Sequence, residues 1–527
     1  MRIHTIDVVV FGAYILAVLA VGIWASRRAM STKRDYFLAG DKLPWWMVGG
    51  SIVASNISSH HFVGVMGLAY AIGFAAMTVE WGAILIGFNA LLWIFLPFYL
   101  RNGFYTMPEF LDRRFGRTAR TTFALLILST YLFVEVSAVL VLGAVALQTL
   151  FQLPPTWSVV ALAALTGVYT IAGGLRAVVW TEMLQLVVLT LGGIVLSAAA
   201  FHKIGGWSGF VATSPEWRLL LPADHPIFPW TMFLGGVISI SVFYCAANQF
   251  IVQRVLAAKD EWHARMGVVF TDYLKLFLPL IILVPGLIAR QLYPDLEKSD
   301  MAFPTLVRDL LPEGLVGLVM AGLIAAIMSH ISGAVNSCTT IATIDFYLPY
   351  WRQDATDAQA VRFGKLFGVV VLVVGVFWAN WLLAWTDRPM FSYLMDAYGY
   401  FAPGIATMFL LGILWKRATN AGALTAGMLT IPLSLALQFL LPSWAGLNRA
   451  TVVFWTCMLA GVGVSLVTSP RPEHELMGLI WNKESLRVPA ELRSRLRGWR
   501  SPALWWSIVT AIVVAMYVQY GLLRFGK

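Results

Sequence analysis

The chain has 527 residues, of which 59% are hydrophobic and only 12% charged, with a formal net charge of +10. Soluble domains carry about 25% charged residues, so this composition excludes a water-soluble enzyme and describes a polytopic membrane protein. The three cysteines, Cys245, Cys338 and Cys457, fall inside apolar segments at no metal-ligand spacing, which argues against a disulfide framework or a structural zinc.

Fourteen apolar segments are long enough to cross a bilayer: 5–25, 45–72, 75–99, 121–149, 157–173, 180–201, 231–252, 266–289, 314–346, 364–386, 393–415, 420–441, 451–469 and 503–523. Arg27, Arg28, Lys33 and Arg34 follow the first segment directly, which sets its N-terminus outside and argues against a secretory signal. With that orientation the cytoplasmic loops hold 26 of the 37 Lys and Arg residues. The sequence therefore predicts a multi-pass protein of the cytoplasmic (plasma) membrane with both termini outside. The net positive charge is a topology signal and implies no nucleic-acid partner. The basic stretch 483–500 is expected to lie on the anionic inner leaflet.

Residues 49–67 carry Ser51, Ser55, Asn56, Ser58, Ser59, His60 and His61 between glycines at 49, 50, 64 and 67. A lipid-facing helix cannot leave so many hydrogen-bonding groups unsatisfied, and the pattern predicts a broken span lining a wet site near the midplane. Segment 231–252 repeats the theme with Gly235, Gly236, Ser239, Ser241, Tyr244, Asn248 and Gln249. Two such helices at matching places in two halves point to inverted repeats; the alternative is a helix packed by small residues. In 319–337, Ser329, Ser332 and Asn336 share one helix face, as helix–helix glue or as a cation-coordinating surface.

Charges inside spans cost about 2.5–3.5 kcal/mol each at the bilayer centre. Glu80, Glu135, Asp272 and Lys275 are the cases here. Asp272 and Lys275, three apart, are spaced to neutralise each other; Glu80 has no local partner, so it is protonated or paired across helices. A carboxylate and a lysine around one cavity suit a neutral, polyhydroxylated ligand. His60, His61 and His330 fall in the same two suspect segments.

DYFLAG and LPWW (35–40, 43–46), ASNIS and FVG (54–58, 62–64), GGLRAVVWTEMLQ (173–185), NQFIVQRVLAAK (248–259), LKLFLPLIILVPG (274–286) and AGLIAAIMS with the following NS and DFY (321–347) resemble the sodium–solute symporter family. The sodium–glucose and sodium–galactose branch is the most similar. The resemblance implies an all-α LeuT-type fold with two inverted five-helix repeats, 45–201 and 231–415. An N-terminal extra helix and loop (1–44), an external loop (202–230) and C-terminal extra helices (416–527, with the basic loop 470–502) would surround them.

By the same resemblance the solute site falls on Asn56, His61, Glu80, Ala83, Ser241, Tyr244, Lys275 and Met395. Ala83, Ser241 and Met395 depart from the sugar-carrying members, and each missing hydrogen bond is worth about 0.5–1.5 kcal/mol. The common sodium site falls on Ala54, Ile57, Ala326, Ser329 and His330, where His330 replaces a serine. Neutral imidazole is a poor sodium ligand and imidazolium repels the ion. A second ion site near Glu182, Ser329, Ser332 and Gly333 is incomplete, with glutamate for aspartate and glycine for serine. The expected function is secondary symport of a small polar solute, a monosaccharide first, by alternating access. The expected coupling cation is sodium or a proton, with uncoupled transport left open, and no other cofactor is expected. A carrier of an acid, amino acid or vitamin, or a sugar sensor with little transport, stays open. No nucleophile–base pair or phosphate loop suggests an enzyme, and the oligomeric state is not legible.

Overall fold

The computed structural model describes residues 4–27, 32–58, 60–213, 217–385, 390–482 and 496–524. Arg28, Ser59 and residues 483–495 of the basic stretch lie outside them, as does the side chain of Met395. Among the described residues the chain is helical throughout, and its only β pairing is two isolated bridges.

Eleven described helices are long and apolar enough to cross a membrane, and Gly236–Ala247 with Gln249–Leu256 forms one further span bent by 40°. Two of the eleven are composite. Pro155–Lys203 has 49 residues and His60–Asn102 has 43; at 1.5 Å per residue each far exceeds the roughly 30 Å hydrocarbon thickness. The first bends at Gly174 (φ 53°, ψ −156°) and the second at Gly73 (φ 70°) followed by a 3₁₀ turn. Divided there, with His60–Ile72 joined to the half-helix before it, the helices fall on the fourteen apolar segments.

Both interruptions foreseen from the polar, glycine-flanked runs are present. Trp45–Asn56 ends at Ile57 (φ −80°, ψ 123°), and the chain resumes helically at His60. Gly236–Ala247 ends at Asn248 (φ −83°, ψ 121°) before Gln249–Leu256. The two breaks share one extended backbone conformation. Each re-caps itself from its own side chain, as a severed helix in lipid requires. Ser58 Oγ accepts from the His60 amide at 3.2 Å, and Asn248 Oδ1 accepts from the Phe250 amide at 3.0 Å.

Helix Glu261–Leu292 lies against Trp45–Asn56 through facing glycines. A Cβ on Gly49 would sit 2.4 Å from the Gly267 carbonyl, and one on Gly267 2.6 Å from Val48. Small residues permit this approach, and it brings Lys275 to the break. Outside the core, Asn420–Leu440, Gly446–Val467 and Pro502–Tyr520 pack as flanking helices, with Phe439, Leu459 and Val467 exposed outward. An apolar surface of that kind belongs in lipid. Cys245, Cys338 and Cys457 are free and buried.

At Gly174 a Cβ would lie 2.4 Å from the Tyr36 carbonyl, and the backbone is left-handed as well. Gly174→Ala is therefore expected to cost at least about 2 kcal/mol. Thermal unfolding of the purified protein in detergent checks this; an unchanged midpoint would show that the bend tolerates a side chain.

Candidate functional site

The two broken helices meet around a buried cavity of about 130 Å³. At about 30 Å³ per water it has room for roughly four waters in this arrangement. Its lining brings together Asn56, His61, Glu80, Ala83, Ser241, Tyr244 and Lys275, so seven of the eight residues assigned to the solute site share one wall. For the eighth, Met395, only the backbone is described; its neighbour Leu394 reaches the cavity.

Lys275 organises this wall. Its Nζ donates to Asn56 Oδ1 and to Glu80 Oε2, each at 2.5 Å. Glu80 is thus paired across helices, and the lysine does not spend itself on Asp272. His61 Nδ1 accepts from the Ser58 amide at 3.4 Å, so the ring proton sits on Nε2, which lies 3.0 Å from Glu80 Oε1. That approach is out of line for a hydrogen bond, and Oε1 keeps an open lone pair beside the cavity. An ammonium has three donors, of which these contacts use two. The wall therefore offers one cationic donor and one anionic acceptor to a ligand while remaining neutral as a pair.

A second polar group faces the first. His330 Nδ1 lies 2.9 Å from the Ser55 carbonyl, a group freed by the break, and Nε2 lies 2.7 Å from Glu135 Oε2. Tyr398 donates to Glu135 Oε1 at 2.7 Å. A carbonyl can only accept, so Nδ1 carries a hydrogen. The His330–Glu135 contact then holds one further proton, on the imidazole or on the carboxyl. Glu135, His330 and Tyr398 all line the cavity. Glu135 stood out in the sequence only as a charge within a span; Tyr398 gave no signal there, and Glu135 meets His330 across 195 positions and Tyr398 across 263.

The residues of the expected sodium site surround the break but are not equivalent. Ala54, Ile57, Ala326 and Ser329 are fully buried, and Ser329 Oγ makes no hydrogen bond among the described residues, an oxygen suited to a cation. His330 beside it offers no lone pair, because both nitrogens are engaged. At the expected second ion site, Glu182 is held by Arg254 Nη2 at 2.5 Å and by the hydroxyls of Ser51 and Ser55. Ser332 Oγ turns back to the Ser329 carbonyl at 2.8 Å. A Cβ at Gly333 would meet Arg254 Nη2 at 2.7 Å. The glycine leaves room for a guanidinium, and that tethered cation now neutralises the carboxylate.

Interrupted spans around a chamber lined by polar binding groups are the geometry of a solute transporter. Residues 36–430 match the model of the sodium:solute symporter family. A sodium/glucose cotransporter of Vibrio parahaemolyticus is 35% identical over 500 residues, covering 88% of this chain and 91% of that protein. A sodium/myo-inositol cotransporter of Bos taurus is 33% identical over 555 residues, covering 92% and 77%. A solved structure of a Na+-coupled sialic acid symporter, substrate-bound and outward-open, superposes with a TM-score of 0.78 at 21% identity, covering 89% of this chain and 99% of that one. The chain belongs to the sodium:solute symporter family, and it is a transporter, not an enzyme.

Arg254 and Glu182 are both fully buried. Removing one partner strands a charge, so Arg254→Met is expected to destabilise by about 3–5 kcal/mol. The double change with Glu182→Gln should recover part of that loss in a thermal-stability series; no recovery would mean that the two do not act as a pair. Lys275→Ala removes hydrogen bonds to charged groups worth about 1.5–3 kcal/mol, so solute affinity should fall roughly ten- to a hundredfold while membrane insertion persists. Unchanged affinity would take Lys275 out of the site.

Proposed function

We propose that this protein is a cation-coupled symporter of a small, neutral, polyhydroxylated solute, a monosaccharide or a cyclitol, in the cytoplasmic membrane. The observation that carries the reading is the Lys275–Glu80–Asn56 cluster on the cavity wall. A balanced ion pair with spare donors and acceptors suits hydroxyls and disfavours a net anion. Two relatives whose names specify glucose and myo-inositol fit the same ligand chemistry. Tyr244 would cover the solute, and Ser241 and Asn56 would bond to it. Ala83 supplies no hydroxyl, so the solute is one that leaves that corner unbonded.

Transport is linkage between two bound species. Ion and solute stabilise the same arrangement of the broken helices, so each raises the other's affinity. The matching backbone at Ile57 and Asn248 supports two inverted repeats, 45–201 and 231–415, rocking about the cavity. The distribution of Lys and Arg supports both termini lying outside. Sodium drives the family, but the doubly bonded His330 removes a ligand from its site and supports weak sodium dependence with a proton as the driving ion.

Proteoliposomes should accumulate radiolabelled D-glucose, D-galactose or myo-inositol under an imposed ion gradient. Binding without accumulation would make the protein a sensor instead. His330→Ser is expected to increase the stimulation of uptake by sodium several-fold. If the variant binds solute normally yet ignores sodium, the account of His330 fails.

A further inference from the structure

Asp272 lies one helical turn from Lys275 on Glu261–Leu292. It is fully buried, and neither of its carboxylate oxygens makes a hydrogen bond among the described residues. Every other acid in this region is held: Glu80 by Lys275, Glu135 by His330 and Tyr398, and Glu182 by Arg254. A charge left unpaired in such a place is far costlier than the neutral acid. Two carboxylates, Glu80 and Asp272, thus share one lysine, and the set is electrically balanced only when it holds one proton.

The surroundings allow an exchange of partners. Lys275 sits on a flexible four-carbon stem, and a residue three positions away on the same helix is within its reach. The titratable groups that act on Asp272 are Lys275 and Tyr273 of its own helix and Cys245 of the half-helix before the second break. Those that act on Glu80 are His60, His61, Lys275 and Cys245. The half-helix Trp45–Asn56, packed on this face through Gly49 and Gly267, carries no charged side chain. Cys245 and Glu80 line the cavity, and Asp272, within electrostatic range of Cys245, is buried outside that lining.

We propose that Asp272 is a proton-binding group of the transport cycle and that Lys275 alternates between Glu80 and Asp272. This rests on the reading of Glu80 and Lys275 as solute ligands. In the arrangement seen here Lys275 pairs with Glu80, and Asp272 carries the proton. When the solute leaves, Lys275 turns to Asp272, whose O–H bond breaks and whose proton departs. Glu80 stays ionised, facing the water that refills the cavity and the Nε2–H of His61. One proton thus leaves Asp272 with each solute released, and one is taken up with each solute bound. Solute bound to Lys275 and Glu80 holds the first arrangement, so solute and the proton on Asp272 bind together.

The test uses the full-length protein and Asp272→Asn, which keeps the shape of the neutral acid but cannot release a proton. Infrared difference spectra across a pH step, recorded without solute, should show a carboxylic-acid C=O band in the wild type that disappears in the variant. In proteoliposomes with D-glucose and myo-inositol, solute counterflow should persist in the variant while accumulation driven by a pH gradient is lost. Asp272→Glu, which restores an acid, should recover accumulation. A band unchanged by Asp272→Asn, a variant that concentrates solute as the wild type does, or a wild type indifferent to the pH gradient would overturn the proposal. Absence of wild-type counterflow with every sugar and cyclitol tried would overturn the transport reading instead. The infrared band needs no solute and still decides the state of Asp272. Should Asp272→Asn fold poorly, Asp272→Ser serves in both measurements.

Discussion

A severed helix inside hydrocarbon has nowhere to send its backbone hydrogen bonds except to the protein itself. That constraint governs the centre of this molecule. At Ile57 and at Asn248 the helical ladder stops, and several nearby polar groups return hydrogen bonds to the exposed backbone. Ser58 and Asn248 cap the resumed helices, Tyr131 Oη accepts from the Phe250 amide at 2.9 Å, and His330 takes the Ser55 carbonyl. The chamber is polar because the breaks demand it, and a solute with many hydroxyls can use the same groups.

Electrostatics completes the arrangement by pairing charges across helices far apart in the chain. Lys275 reaches Glu80 over 195 positions and Arg254 reaches Glu182 over 72. Pairs of this sort contribute little net stability, since desolvation offsets most of the attraction, but they define which helices must lie together. The Arg254 cluster ties the first half-helix, through Ser51, to the half-helix after the second break and to the long bent rod. The Lys275 cluster ties the end of the same half-helix, at Asn56, to Glu261–Leu292 and to the span that carries Glu80. Motion about the cavity must exchange such pairs for others; it cannot simply leave them empty.

Much of this was legible in the residues. Glycine-flanked runs of serine, asparagine and histidine marked both breaks, and the cost of charge in a span marked Glu80, Glu135, Asp272 and Lys275. Family motifs then placed the cavity residues together. What the residues could not convey was the partner of each charge. Spacing alone paired Asp272 with Lys275, whereas the glycine contact at 49 and 267 delivers Lys275 to Asn56 and Glu80 instead. Tyr398 looked like one of many aromatics, because its role depends on where a distant helix crosses. Arg254 sits at the edge of a cytoplasmic loop in the hydropathy pattern; only the missing Cβ at Gly333 lets it fold inward to a carboxylate expected to face an ion.

The placement of the cysteines has a practical side. Cys245 is part of the chamber wall, whereas Cys338 and Cys457 are buried in helix contacts away from it. The protein thus contains its own chemical reporter: a membrane-impermeant thiol reagent reaches Cys245 only while a passage stands open on the side where the reagent was added. Its rate of modification from each face of a sealed vesicle would time the opening of the two doors, without an engineered probe.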